Sequence, residues 1–461
     1  MLHSQTTSND NKKNLDKKVQ DCRWKLLKYH SWFLNSWHHQ QLLDDLSDAL
    51  YDRFQQLGGI EYLEESIAYD RQVLALQPDD HPNHSNSLNN LAAAVSTRFE
   101  QLGRMEDLEE AIACHRQALA LRPHGHPNHS DSLDNLANAV SARFKQSGRM
   151  EDLEEATTCH RQALALRPHD HPNRSDSLDN LATSVSTRFT QLGRMEDLDE
   201  AITCYRQALV LRSHGHPKHA DSLNDLGVTV STRFKQLGRM EDLDEAVTCH
   251  RQALALRPHG HPNHLDSLYN LTTAVSTRLK QLGRMEDLEE QIKCYRQTLV
   301  LRSHGHPKRA NCLNNLGVSV STRFKQSGRM EDLEEAITCH RQALALRPHG
   351  HPKHSDSLDN LATAVSTRFK QRGRMEDLEE AITCYRQTLA LRPHGHPNHL
   401  DSLDNLAIAV STRFKQRGRM EDLDEAITRH RQALALRPHG HPNRSNSLDN
   451  LANAVDVLKV A

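Results

Sequence analysis

Residues 81–125, HPNHSNSLNNLAAAVSTRFEQLGRMEDLEEAIACHRQALALRPHG, recur every 45 residues with almost no change until the chain stops at Ala461. Copies start at the HP dipeptides of His81, His126, His171, His216, His261, His306, His351 and His396, and a ninth copy from His441 breaks off within its first helix. No insertion or deletion interrupts the period. A fixed repeat of about 20 to 50 residues builds a solenoid, because each unit leaves an apolar face that only a neighbour can cover. The expected fold class is therefore all-α, an α-solenoid of antiparallel helix pairs with a 45-residue repeat.

The same periodicity divides the chain. Residues 1–20 read as a disordered polar tail, 21–35 as an aromatic N-terminal capping segment, 36–80 as a degenerate first repeat, 81–440 as eight repeats and 441–461 as a partial repeat acting as a C-terminal cap. Arg53, Phe54, Leu57, Gly58 and Arg71 stand 45 residues before Arg98, Phe99, Leu102, Gly103 and Arg116, which places 36–80 in register with the copies. Trp24, Trp32 and Trp37, with Tyr29 and Phe33, precede the first unit, where they either cover the open apolar end or offer a partner-binding helix. After Val455 the pattern changes to DVLKVA, the expectation for a fragment of a longer protein.

Composition narrows the function. Acids outnumber bases 60 to 58, so no basic stripe is expected to meet a nucleic-acid backbone. No apolar run approaches the roughly 20 residues that span a bilayer, and the first twenty residues show no signal-peptide core, so the expected location is the cytoplasm. Nine cysteines suit a reducing compartment. Seven of them, Cys114, Cys159, Cys204, Cys249, Cys294, Cys339 and Cys384, share one register position and should be free buried thiols, since equivalent helices lie too far apart for a disulfide.

Within one unit, Leu88, Leu91, Ala92, Val95, Phe99 and Leu102 form one stripe at helical spacing, and Gly103 ends that helix. A second helix starts near Glu106 with acids in its first turn, turns Leu108, Ala111, Ile112, His115, Ala118 and Leu119 inward, and stops before Pro123. Each is expected to run about 16 residues, or about 24 Å. The rest is the HGHPNH loop.

The spacing Leu88, Leu91, Ala92, Val95, then Ala111, His115, Ala118 and Pro123, resembles the tetratricopeptide repeat pattern, W-x2-L-G-x2-Y followed by A-x3-F and a closing proline. Gly227 or Gly317 at the position of Ala92, and Tyr205, Tyr295 or Tyr385 at that of His115, sharpen the likeness. The HP loop followed by SLNNLA resembles the kinesin light chain branch, and GRMEDLEEAI resembles arrays found beside CHAT peptidase domains. Two departures stand out: seven extra residues lie between Val95 and Ala111 and four between Pro123 and Leu133, relative to the 34-residue form. The resemblance implies a right-handed superhelix whose first helices line a concave groove.

In such a groove the candidate peptide-binding residues are Asn90, Asn135, Asn180, Asn270, Asn315, Asn360, Asn405 and Asn450, with Asp225 the exception in the row. An amide both donates and accepts, so it can pair with an extended peptide main chain of any sequence; it can equally be a solvated polar residue. Lys145, Lys235, Lys280, Lys325, Lys370 and Lys415 at the end of the first helix, with Asp134, Asp179, Asp359, Asp404 and Asp449 near its start, read as dipole compensation or as a charged groove. Asp131, Asp176, Asp221, Asp266, Asp356 and Asp401 read as helix N-caps or groove acceptors.

The loop histidines His124, His126 and His129 have a metal-like spacing, but Arg174, Arg309 and Arg444 replace the third in other copies, so no metal and no cofactor is expected. Exposed imidazoles titrate near pH 6.5, which makes the array strongly positive in mild acid. No phosphate loop, nucleophile elbow or H-E-x-x-H helix is present, so no enzyme activity is expected. The sequence thus points to a protein-interaction scaffold that binds an extended peptide or a partner helix, with neither nucleic acid nor membrane as partner. The alternative is a regulatory arm of a multidomain protein such as a CHAT-type peptidase. Oligomeric state is not encoded in the repeat.

Overall fold

A computed structural model describes residues 2–28, 36–78, 80–213, 215–437 and 444–460, which form twenty α-helices and, among the described residues, no strand. The chain divides into two compact units, Met1–Arg239 and Met240–Ala461. The first holds α1 (Leu2–Lys28), α2 (Ser36–Leu57), α3 (Ile60–Leu76), α4 (His84–Leu102), α5 (Met105–Ala120), α6 (His129–Ser147), α7 (Met150–Leu166), α8 (Arg174–Leu192), α9 (Met195–Leu211) and α10 (His219–Leu237). The second holds α11 (Met240–Ala255), α12 (His264–Leu282), α13 (Met285–Leu301), α14 (Arg309–Ser327), α15 (Met330–Ala345), α16 (His354–Arg372), α17 (Met375–Leu391), α18 (His399–Arg417), α19 (Met420–Ala435) and α20 (Arg444–Val460).

Each unit is a tandem stack of antiparallel pairs. The leading helix of a pair, such as α4, runs 19 residues, longer than the sequence suggests, and the trailing helix, such as α5, runs 16. Packing is tightest within the pairs α4/α5, α6/α7 and α8/α9 of the first unit and α14/α15, α16/α17 and α18/α19 of the second. Each trailing helix then packs on the next leading helix, as α5 does on α6 and α15 on α16. The turn between partners is set by Gly103, whose φ of +69° lies in the left-handed region and whose N–H donates to the Phe99 carbonyl at 2.7 Å. Arg104 is extended, and two residues suffice to reverse the chain.

The apolar stripes meet as a continuous core. Phe99, Leu108 and Ile112 of one pair pack with Leu133, Leu136 and Val140 of the next leading helix and with Ala156, Cys159 and Ala163 behind them. Leu102 departs from its expected place: it is 42% exposed, at the last position of α4 before Gly103. The register agrees, since Ser147, Arg372 and Arg417 occupy the same position in other copies. All nine cysteines are free and buried, and burial pushes Cys114 and Cys159 up to about 11, so they are thiols at neutral pH.

Ion pairs repeat with the helices. The Arg98 guanidinium grips Asp107 across the turn of its own pair, with 2.5 Å from Nη2 to Oδ1. Arg116 joins Glu155 of the next trailing helix at 2.8 Å, and Arg143 joins Glu109 of the preceding one at 2.8 Å. The Arg116 pair is solvent-facing and contributes at most about 1 kcal/mol, whereas the Arg143 side chain is largely buried and its Glu109 partner exposed.

At the N-terminal end the structure differs from a polar tail followed by a cap. Residues 2–28 are one helix, because Val19, Cys22 and Leu26 make a stripe that packs on Leu46, Ala49 and Leu50 of α2. Arg53 and Lys18 add ion pairs to Asp16 and Asp52, at 2.7 and 2.8 Å. Of the aromatic cluster, Trp24 is 58% exposed; Tyr29, Trp32 and Phe33, and the side chain of Trp37, lie outside what is described. The burial pattern makes a direct test. Leu108→Ala removes a side chain that is 1% exposed and should cost about 2–5 kcal/mol, whereas Leu102→Ala should cost less than about 0.5 kcal/mol, as measured by urea denaturation followed by circular dichroism.

Candidate functional site

At the end of most trailing helices an arginine turns inward. Arg122, Arg167, Arg212, Arg257, Arg347, Arg392 and Arg437 are each 3% exposed or less. Arg392 shows the arrangement: its guanidinium donates to Asp356 at 2.9 Å and Asp359 at 3.3 Å in the leading helix of its own pair, and to Ser402 at 2.8 Å in the next leading helix. Arg167 likewise joins Asp131, Asp134 and Ser177, and Arg122 joins Asn86 and Ser132. One cation therefore staples two successive leading helices. The acids expected as N-caps, Asp131, Asp176 and Asp356, are staple partners instead, sitting inside the first turn after Asn128, Asn173 and Lys353. Asp134 is likewise a buried staple acid rather than a groove charge. Burial works to raise its pKa, but His160 and Arg167 hold it below the ordinary carboxylate value.

Sequence reasoning missed these arginines, although the signal is present. Arg122 follows His115 by seven residues and Ala118 by four, which puts it on the inward stripe.

The asparagine row lies along the seam between leading helices. Asn135 of α6 donates to Asn89 of α4 at 2.8 Å, and Asn360 of α16 donates to Asn314 of α14 at 3.0 Å. Asn315 bonds Tyr295 of α13. Asn90 and Asn315 are exposed; Asn135, Asn180, Asn270, Asn360, Asn405 and Asn450 are half-buried. Beside the row are concavities walled by two leading helices and floored by a trailing one. That among α4, α5 and α6 holds about 200 Å³ and is lined by Ala93, Ser96, His115, Asn135 and Asn138 among others. Lys145, Lys235, Lys325, Lys370 and Lys415 are exposed in the last turns.

The floor residue alternates. His115, His160, His340 and His430 are 4% exposed or less, and Tyr205 and Tyr385 replace them elsewhere. Tyrosine brings a partner with it: Thr183 bonds the Tyr205 hydroxyl at 3.0 Å and Thr363 that of Tyr385 at 3.3 Å, whereas the histidine copies carry Ala93, Asn138, Val318 and Ile408 there. At Gly317 a Cβ would stand 2.6 Å from the His340 ring, so the small residue makes room for the imidazole.

The loop histidines are turn-formers. Nδ1 of His126 accepts the N–H of Asn128 at 3.1 Å, and the HP histidine of every copy from His81 to His396 does the same. His264, His354 and His399 bond the carbonyls of Arg257, Arg347 and Arg392 through Nδ1 at 2.6 to 2.7 Å, while Arg309 reaches the equivalent carbonyl of Arg302. Both residue types supply a donor to the frayed end of the trailing helix, which explains their exchange. Among the described residues no three metal-ligating side chains converge.

Burial lowers His115 and His340 to about 4, helped by Arg122 and Arg347. The unfolded chain then takes up the proton first, so stability is lost as pH falls through about 6.5 and the loss is complete below about 4. Asp70, in the same register, is raised to about 7 by burial and acts in the opposite sense, losing stability as pH rises. The doublet Ala93→Thr with His115→Tyr leaves Asp70 unchanged. Between pH 7.5 and 5 the wild-type chain should lose about 1–2 kcal/mol more than this variant, as read from urea midpoints at the two pH values.

The sequence profile of the tetratricopeptide repeat matches residues 85–131, 129–173, 309–353, 355–398 and 399–443. No curated protein matches the chain. Solved structures that resemble it include the C-terminal part of a TPR repeat-containing protein from Cytophaga hutchinsonii, 13% identical over 69% of this chain and 99% of that one, with a TM-score of 0.46. Nearly identical TPR-like repeats of a putative kinesin light chain from Podosopora anserina are 22% identical over 49% and 100%, with a TM-score of 0.33. YrrB, a TPR protein with an unusual peptide-binding site, is 16% identical over 46% and 89%, with a TM-score of 0.31. The helix pairs, their repeating register and these profile matches together make the chain a tetratricopeptide repeat protein.

Proposed function

We propose that this chain is a non-enzymatic interaction scaffold that holds an extended peptide or a partner helix along its leading helices. The observation that carries the reading is the row from Asn90 to Asn450, with amide groups at the seams beside concavities floored by His115 and its counterparts. Such amides can offer a peptide main chain donors and acceptors at intervals of one repeat, while the concavities receive side chains. Nine free, buried thiols fit work in the cytoplasm. Among the described residues no helix is long and apolar enough to cross a membrane. With 60 acids against 58 bases, protein rather than nucleic acid is the partner.

The test compares the wild-type chain with one carrying Asn135, Asn180, Asn315 and Asn360 as alanine, using a displayed library of random decapeptides. The variant should lose binding by about tenfold or more, at about 1 kcal/mol for each hydrogen bond removed, with its thermal transition within a few degrees of wild type. Retention of the same peptides at the same affinity would overturn the asparagine assignment.

A further inference from the structure

The copy from His261 and the start of the copy from His306 depart from the others. Where other copies place Asn or Asp at the ninth position, residue 269 is tyrosine; Thr272 stands where the others have Ala or Gly, Gln291 where they have Ala, and Cys312 where they have Ser. Three of these four, Tyr269, Thr272 and Cys312, line a single concavity of about 410 Å³ among α12, α13 and α14. Tyr269 and Cys312 together undo a staple. Arg302 occupies the position of Arg392, but its ninth-position acid is missing and its serine partner is a cysteine; Asp266, the counterpart of Asp356, is retained, yet no ion pair joins it to Arg302. Its guanidinium reaches only the Lys308 carbonyl, at 3.5 Å, and it is half-buried where the other staple arginines are 3% exposed or less. The floor has opened with it, since Tyr295 is half-buried whereas Tyr205 and Tyr385 are 3% and 4% exposed.

The charges of this concavity are one-sided. Lys280, Arg302 and Lys308 line it, and no carboxylate does. Opposite Arg302 and Lys308, α12 presents the hydroxyl oxygens of Thr272, Thr273, Ser276 and Thr277, whose hydrogens are already donated to carbonyls one turn back, at 2.6 to 2.9 Å. Ser276 already accepts from Gln291 and bonds Tyr295, and Thr272 bonds Cys294, so the oxygens left to accept are those of Thr273 and Thr277. The site therefore combines a cationic side with an acceptor side, and it suits a ligand that carries a strong anion next to N–H donors.

We propose that this concavity binds a phosphorylated side chain of a peptide lying on the leading helices, the phosphoryl group meeting Arg302, Lys308 and Lys280 while the peptide N–H groups face the threonine wall. A carboxylate would be matched by one arginine; a phosphate monoester carries a charge of about −1.5 to −2 and three acceptor oxygens, which fits three cations in a cavity that no carboxylate lines. The inference rests on the peptide-binding reading above and adds the class of peptide.

The test uses the full chain in phosphate-free buffer at pH 7.5. Three fluorescent nonapeptide libraries, identical except for phosphoserine, serine or glutamate at the centre, are compared by polarisation, and O-phospho-L-serine is titrated separately by calorimetry. The phosphoserine library should bind at least about tenfold more tightly than the serine library, with glutamate between. Arg302→Gln should abolish the preference. Tyr269→Asp, which restores the acid that Arg212 and Arg392 find in Asp179 and Asp359, should abolish it by occupying Arg302 internally; unchanged circular dichroism melts show that both variants fold. Equal binding of the three libraries with no heat from O-phospho-L-serine, or a preference that survives both substitutions, would overturn the proposal. If no library binds yet O-phospho-L-serine does so through Arg302, the pocket stands and the peptide reading falls; loss of the asparagines that leaves the phosphate preference intact removes only their role.

Discussion

A guanidinium buried at the end of seven trailing helices, from Arg122 to Arg437, fixes how one leading helix stands against the next. A charge in that position is strongly destabilising alone, so the site tolerates it only with carboxylate, amide and hydroxyl partners in place. Arg167 obtains them from both neighbours, Asp131 and Asp134 on one side and Ser177 on the other. An apolar contact could slide by a rotamer; this set of directional bonds cannot. The seam asparagines and the concavities beside them inherit their spacing from it, since both lie between the helices that the arginine joins.

Much of this was legible in the sequence. The 45-residue period, the two stripes, the glycine stop and the free thiols are local or periodic features, and the structure follows them. What escaped is pairing across distance. Asp131 and Asp134 look like ordinary charges at the start of a helix, and only the fold reveals that Arg167, more than thirty residues later, ends beside them. The reading of residues 1–20 as tail failed for a related reason: Val19 and Cys22 are a thin stripe in a polar stretch, sufficient only because α2 offers Leu46 and Leu50 to receive it. The asparagine row was visible as a row, but its bonds to Asn89 and Asn314 of neighbouring helices were not.

Near-identity among the copies makes the exceptions informative. When Tyr205 replaces histidine, Thr183 on the facing leading helix α8 bonds its hydroxyl, and the Tyr385 and Thr363 pair repeats the substitution. These are coupled solutions to one packing problem. Tyr269 and Cys312 are of another kind, because they replace two of the staple partners of Arg302, whose guanidinium reaches only the Lys308 carbonyl.

The offsets of the bonds carry a last consequence. Arg116 meets Glu155 and Arg341 meets Glu380 at the same separation of 39 residues, and Arg143 meets Glu109 as Arg323 meets Glu289 at 34. Within each unit these junctions are therefore built on one register. Unequal recombination that deletes or duplicates a whole period rejoins surfaces already shaped for one another, so the gene can lengthen or shorten in steps of 45 codons without passing through a misfolded ancestor.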